Sequence, residues 1–438
     1  MVSDKYQFKN TRNILNLVNN MYSRETRQNL QEQIVKDLYK NAEKISKKNI
    51  NYNNNQKRYW TEKIDNIITS KWLGFPLMLA LLGGVFWLTI IGANYPSDIL
   101  SQLLFGLETK LSYWFTVINA PRWLQGILIS GVYRTMAWVV SVMLPPMAIF
   151  FPIFTLLEDL GYLPRIAFNL DNIFKKAGAH GKQSLTMSMG FGCNAAGVIA
   201  SRIIDSPREK LIAILTNNFV PCNGRFPLLI ILASLFLGGV AGNVFNSIIA
   251  ASAVVGVILI GIFITLLISW ILSRTLLKGI PSSFTLELPP YRKPQLGKVI
   301  IRSFLDRTLF VLSRAIIVAA PAGAIVWIFA NTTINSMTLI EIVASFLDPF
   351  AVLIGLDGII LLAFILGLPA NEIVLPIIVM GYLSAGQMLE PGSSEVLKEI
   401  LVNNGWTWVT ALSTMLFSLL HFPCGTTLLT IKNETNSL

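Results

Sequence analysis

Charge is scarce in this 438-residue chain. Asp, Glu, Lys and Arg together make up 13% of it, against roughly 25% in soluble domains. Such a chain cannot clothe a large water-facing surface. Histidine is almost missing, with two residues, and cysteine is sparse, with three. Two histidines leave little for general acid–base catalysis, and three cysteines cannot frame a disulfide-stapled fold. No G-x-x-x-x-G-K-[ST] phosphate loop, H-E-x-x-H or G-x-S-x-G motif occurs; "GAHGKQS" at 178–184 has neither the length nor the Lys-Ser pair. The polar N-terminus lacks a secretory signal pattern. What is abundant is apolar sequence: 53% of the chain is hydrophobic, in several stretches longer than the ~18 residues that suggest a membrane helix. These features predict an all-α, polytopic membrane protein in contact with the lipid bilayer, and not an enzyme.

The net charge of +11 is placed as a membrane protein places it, in loops and an N-terminal arm, and is no sign of nucleic-acid binding. Residues 1–71 hold 14 Lys/Arg against 7 Asp/Glu. They read as amphipathic helix, an Asn-rich linker at 47–58 and a lead into the first span. A second basic stretch, with eight Lys/Arg against two acids, runs from Arg274 to Arg314. Both are expected to be cytoplasmic. Candidate spans lie near 72–95, 132–157, 183–202 (broken), 211–240 (interrupted at "VPCNGRFP"), 244–273, 312–331, 358–384 and 406–430. Residues 97–120 carry Glu108 and Lys110 in an apolar periodicity, which suits an interfacial helix.

An internal repeat is visible at a shift of 177 residues. "LDNIFKKAGAHGKQSLTMSMGFGCN" (170–194) aligns without gaps on "LDPFAVLIGLDGIILLAFILGLPAN" (347–371), with seven of 25 positions identical, including paired Asp171/Asp348 and Asn194/Asn371. Each copy runs Leu-Asp, a Gly-x-x-Gly turn, an apolar run, a Gly-x-Gly or Gly-x-Pro break, then Asn. A break in the hydrocarbon is tolerated only where it is packed in protein or lines a wet cavity, and breaks at matching places of two repeats point to a transporter's binding site. The first turn is basic (Lys175, Lys176, Lys182), while 352–359 has no Lys or Arg. The repeats are therefore expected to be inverted.

All three cysteines stand beside helix breakers: Cys193 in "GFGCNAAG", Cys222 in "VPCNGRFP" and Cys424 in "HFPCGTT". A cysteine is at home in packed helices as a small hydrophobe; a thiolate is also a soft ligand for transition metals. Glu372 in "GLPANEIVLPI" is a carboxylate between apolar runs, a site hypothesis by default, or else a cap on the broken helix. Gly190 and Gly192 let the backbone leave the helix, and Asn194 and Asn371 either line a path or satisfy broken backbone. Arg134, Arg202 and Arg225 follow apolar stretches and read as interface anchors. Glu158, Asp159 and Arg165 read as a solvated or ion-paired turn, and His180 and His421 as structural.

"WTEKIDNIITSKWLGFPLML", "LEDLGYLPRIAFNLDNIFKKAGAHGKQ", "GFGCNAAGVIASR", "CNGRFP", "ANEIV" and "FSLLHFPC", in this order, resemble the membrane part of the bacterial ferrous iron transporter B family. The resemblance implies two gate-type repeats with broken helices, at 72–273 and 312–438, the latter with a C-terminal span. A cytoplasmic arm (1–71) and a basic loop (274–311) complete the expected division. It implies Fe²⁺ import across the bacterial cytoplasmic membrane, with Fe²⁺ as cargo and no permanent cofactor. Cys193, Cys222 and Cys424 would line the iron path, and Glu372 would match the acidic residue of the second gate. Two departures stand out. Asn371 occupies a position that is Lys in many members, and the family's GTP-binding domain is not in this sequence. Either the GTPase is a separate chain or this sequence is a truncation; a separate small GTPase subunit is the expectation carried forward, and a homo-oligomer is left open. The alternatives are a gate-type carrier of nucleosides or other small solutes, and a non-transporting membrane scaffold.

Overall fold

The computed structural model describes residues 24–49, 63–70, 72–237, 244–278, 295–334, 336–388 and 394–435. Residues 50–58 of the linker and 279–294 of the basic loop lie outside them. The chain is all-α and polytopic; among the described residues the only strands are β1 (Thr333–Ile334) and β2 (Met337–Thr338), a two-stranded hairpin. The arm contributes α1 (Arg24–Asn49). There follow α2 (Gly74–Val117), α3 (Arg122–Asp159), α4 (Tyr162–Lys176), α5 (Gln183–Gly192), α6 (Asn194–Ala200), α7 (Pro207–Thr216), α8 (Phe226–Leu237) and α9 (Val244–Arg274). The rest comprises α10 (Phe310–Asn331), α11 (Leu339–Leu353), α12 (Gly358–Leu366), α13 (Asn371–Tyr382), α14 (Ser394–Asn403), α15 (Trp408–Leu420) and α16 (Gly425–Thr435).

The 177-residue shift holds in three dimensions. Displaced by it, the bounds of α4 fall on those of α11, and both helices are amphipathic. The π-helical start of α3 (Gly126–Tyr133) falls on the π-helical turn Ser303–Leu309 that leads into α10. Gly178 and Gly355 both take left-handed backbone, with φ of 71° and 74°, a conformation open to glycine at no steric cost. Cys193 (φ −157°, ψ 127°) and Ala370 (φ −152°, ψ 124°) are both extended where their helices break. The paired aspartates do related work. Asp348 Oδ1 accepts from Gly358 N at 2.9 Å, and Asp171 packs so closely on Gly181 that a Cβ there would strike its carboxylate.

The two copies enter from opposite ends. The 22 residues of α10 span about 33 Å at 1.5 Å per residue, close to the ~30 Å hydrocarbon thickness. Near its start, Arg314 donates to Thr430 Oγ1 of α16 (2.9 Å). At its far end Asn331 donates to the Gly386 carbonyl (2.6 Å). The α5–α6 hairpin has its mouth at the first end. There Lys182 Nζ donates to the Ile203 carbonyl (2.8 Å), and Arg202 Nε pairs with Glu434 of α16 (2.9 Å). The α12–α13 hairpin has its mouth at the other end, closed by a Tyr382 hydroxyl to Asp357 hydrogen bond, and Trp406 Nε1 donates to the same hydroxyl (2.6 Å). Each hairpin returns to the face it came from.

This corrects the span assignment. Residues 183–202 and 358–384 are re-entrant hairpins and not crossings. They do not traverse because a closing hydrogen bond joins the two ends of each. Residues 97–120 are not a separate interfacial helix: α2 is one helix of 44 residues, about 66 Å long. Its far half runs beside α3, with Glu108 and Arg134 ion-paired at 3.2 Å. The basic stretch after Arg274 is not loop throughout, since Leu296–Arg302 is helical and runs on toward α10. Among the described residues, five segments are long and apolar enough to cross a membrane: α2, α3, α9, α10 and α15–α16. The α7–α8 pair makes a further crossing in two pieces, from Asp205 at the basic end to Phe236, which stacks on Trp406 (5.9 Å) at the other.

The re-entrant geometry can be checked by labelling single cysteines introduced into a variant lacking the native three. Lys176→Cys and Asp205→Cys, on either side of the first hairpin, should react with an impermeant reagent from the same membrane face. Asn404→Cys should react from the opposite face. Labelling of positions 176 and 205 from different faces would show the segment to be a crossing.

Candidate functional site

Four helix breaks meet at the centre of the molecule, and three of them carry a proline. Proline removes a backbone donor and pushes the preceding residue out of helix. Before Pro221, Val220 is extended (φ −90°, ψ 123°); Pro369 follows the end of α12; His421, two residues before Pro423, is extended (φ −67°, ψ 173°). The break at Cys193 has no proline and is built on glycine instead. Gly192 packs on the Phe150 ring, and Gly190 and Gly197 hold the Asn217 amide between them; a Cβ at any of the three would collide.

Every break frees carbonyls and amides, and side chains receive several of them. Asn217 Nδ2 donates to the Asn194 carbonyl (3.0 Å). The Asn194 amide, turned to satisfy both its atoms, donates to the carbonyls of Gly190 (3.1 Å) and Val220 (3.2 Å). Arg225 serves two breaks together: its guanidinium donates to the Asn218 carbonyl (2.7 Å), the Asn218 side-chain oxygen (3.1 Å) and the Leu419 carbonyl (3.3 Å). Asn218 Nδ2 in turn donates to the His421 carbonyl (2.6 Å). The backbone also pairs across breaks, Asn223 N to Gly192 O (3.3 Å) and Gly425 N to Leu368 O (2.6 Å). The His421 ring sits between the Ser418 carbonyl (2.8 Å) and Asn371 Oδ1 (3.3 Å), and Asn371 Nδ2 donates to Cys222 Sγ at 3.8 Å.

Between the breaks lies a cavity of about 20 Å³, the room of roughly one water molecule. Cys193, Cys222, Cys424 and Glu372 all line it, together with Gly192, Asn194 and Asn371. Residues scattered over 231 positions of sequence thus share one wall. Gly190 does not line it; its place is one turn back, against Asn217. The Glu372 carboxylate lies against Gly224, where a Cβ would occupy its position, and among the described residues no cation pairs with it. Nor, among the described residues, do any three His, Cys, Asp or Glu side chains converge closely enough to hold one metal ion. The three thiols are free. The arrangement offers sulfur and oxygen donors around a small space without closing into a cage.

Three features escaped the sequence. Arg225 is not an interface anchor but is buried, with 1% exposure, and ties the two broken crossings together. Asn217 and Asn218, an amide pair inside an apolar run, hold the first and fourth breaks; their position two residues before "VPCNGRFP" was the available signal. Arg165 is ion-paired as read, to Asp65 at 2.7 Å, but is fully buried. His180, in the first hairpin's turn, accepts from Lys182 N at 2.9 Å, and burial holds its imidazole below the ordinary range against the opposing pull of Glu209.

Compared with known proteins, residues 140–236 and 312–438 match the family model Gate, described as nucleoside recognition, and residues 254–306 match that of the ferrous iron transport protein B C terminus. The chain is similar to an Fe(2+) transporter of Staphylococcus aureus (strain COL), 28% identical over 401 residues, covering 89% of this chain and 57% of the relative. Another Fe(2+) transporter, from Methanocaldococcus jannaschii, is 26% identical over 415 residues, covering 92% and 58%. A fusion of Fe(2+) transport protein A with such a transporter, from Porphyromonas gingivalis, is 30% identical over 270 residues, covering 61% and 30%. The chain thus spans little more than half the length of the first two. No solved structure matches it.

The role of Arg225 is testable by stability. Arg225→Met leaves two carbonyls at helix breaks without a charged donor, each such bond contributing about 1.5–3 kcal/mol. The purified variant should lose roughly 3 kcal/mol or more, read as a lower thermal unfolding midpoint in detergent, and Arg225→Lys should recover only part. An unchanged midpoint for Arg225→Met would refute the assignment.

Proposed function

We propose that this chain, which belongs to the Gate family and to the ferrous iron transport protein B group within it, carries Fe²⁺ across a bacterial cytoplasmic membrane toward its basic end. The observation that carries the reading is the meeting of three thiols and one carboxylate, each from a different helix break, around a space sized for a single ion. Fe²⁺ is a borderline-soft cation, suited to mixed sulfur and oxygen donors. A carboxylate without a partner is costly in the membrane interior, and a divalent cation offsets that cost. Transport also requires release, which favours few ligands at a time over a closed four-ligand cage.

The two hairpins supply the gating. Cys193 is the tip of the hairpin rooted at the basic end, and Ala370–Glu372 is the tip of the one rooted at the other. Withdrawing one tip opens the cavity to one face while the other stays sealed, which is alternating access around a fixed site. Basic segments face the cytoplasm, so passage from the Asp357 end to the Lys182 end is import. A nucleoside or similar solute is the weaker reading, because ligand pockets of that kind measure about 300–1,000 Å³. Energy coupling we assign to a small GTPase, which these 438 residues do not themselves supply, since they hold no G-x-x-x-x-G-K-[ST] loop.

Glu372→Gln keeps the shape and removes the charge. It should abolish growth that depends on low external Fe²⁺ at unchanged protein level, and Cys193→Ser should slow uptake and shift preference away from soft ions. Wild-type uptake by both variants at matched expression would sink the reading. In a separate measurement, the purified 438-residue chain should show no GTP binding; saturable binding would overturn the assignment of GTP binding to residues other than these.

A further inference from the structure

Thr426 lies within "HFPCGTT", two residues past Cys424, and belongs to the cavity wall. It is 3% exposed, lines the cavity, and its Oγ1 finds no hydrogen-bond partner among the described residues. Buried threonines in helices usually turn the hydroxyl back to the carbonyl four residues earlier. Here Thr89, Thr216, Thr265, Thr414 and Thr430 all do so, at 2.7–2.9 Å. Thr426 has no such carbonyl. It stands in the first turn of α16, and the preceding residues, 421–424, are outside helix. The fourth break therefore frees a hydroxyl as well as backbone. A buried unpaired hydroxyl costs about 1–3 kcal/mol, so its retention calls for a use.

The neighbouring polar atoms are already committed. Asn371 Oδ1 lies against His421, and Cys424 Sγ is 3.2 Å from Thr427 Oγ1. Asn194 serves the backbone of the first break. Among the described residues, Thr426 Oγ1 is the cavity-lining side-chain oxygen that is buried without a partner. We propose that the Thr426 hydroxyl is an oxygen ligand to the divalent cation in this cavity, one that sets the preference for a borderline cation over softer ones. This inference rests on the transport reading above. The hydroxyl binds through a lone pair and stays protonated; it is a neutral, weak donor that completes the coordination begun by thiols without deepening the site. A wall of sulfur alone would favour Cu⁺ or Zn²⁺.

The test is anaerobic titration of the purified full chain with Fe²⁺ and, as a spectroscopic probe, Co²⁺, whose thiolate charge-transfer band reports binding among the cysteines. Thr426→Val keeps shape and removes the hydroxyl. It should weaken Fe²⁺ and Co²⁺ binding roughly tenfold, the lower range for losing one supporting group at a metal site, while Zn²⁺ affinity changes less. Its thermal midpoint without metal should be unchanged or higher, because an unpaired buried hydroxyl is gone. Thr426→Ser should restore wild-type affinity. Unchanged Fe²⁺ binding by Thr426→Val, equal losses for all metals, or failure of Thr426→Ser to restore binding would each overturn the inference. If Thr426→Val does not fold, Thr426→Ala against Thr426→Ser decides by the same affinities. A wild-type chain that binds neither Fe²⁺ nor Co²⁺ would instead remove the transport reading, and this inference with it.

Discussion

The structure depends on pairing the backbone groups that helix breaks set free in a medium without water. An unpaired amide or carbonyl in hydrocarbon costs several kcal/mol, and here four breaks are stacked at one level. Arg225 answers this most directly. Its guanidinium carries a rigid fork of donors and reaches carbonyls just before two breaks that lie 201 residues apart in sequence. Around it, Asn217, Asn218, Asn194 and His421 pair with further carbonyls at the breaks. The same network that satisfies the backbone fixes where the cysteines point, so stability and function share residues.

Pseudo-symmetry distributes the breaks. Two copies related by 177 residues reproduce a left-handed glycine, an extended residue at the break and the bounds of an amphipathic helix. Because the copies enter from opposite ends, one unit design yields two re-entrant hairpins that meet tip to tip. Close helix contact supports this: Gly131 and Gly323 bring α3 and α10 together so tightly that a side chain on either would strike backbone, as small residues do in membrane bundles. The symmetry is incomplete where chemistry is at stake. Cys193 corresponds to Ala370, and Glu372 corresponds to Ala195, so the first tip brings sulfur and the second brings charge.

Much of the site could be read from the chain because breaks in apolar segments leave strong local marks. Glycine and proline beside Cys193, Cys222 and Cys424, and a lone acid at Glu372, stand out against such a composition. The partners of the breaks could not be read. Arg225 looks like any arginine near a membrane surface, and Asn217 like any polar residue near a helix end, because their roles lie in what they reach and not in what flanks them. Thr426 is hidden more deeply still, since a threonine in a first helical turn carries no distinguishing mark.

The sequence by itself determined the class and the symmetry. Scarcity of charge and long apolar runs require a helical membrane protein, since only helices and closed barrels pair all their backbone there, and a repeat with one basic turn and one turn without Lys or Arg points to inversion. Whether a broken segment crosses or turns back was decided only in three dimensions. Composition along 183–202 or 358–384 is equally apolar in either case. The difference is made by Lys182 reaching Ile203 and by Tyr382 reaching Asp357, contacts that exist only once the segments have folded back. The meeting of four distant breaks at one cavity is likewise a property of packing: local sequence places each break, but the depth at which each comes to rest is set by the helices around it.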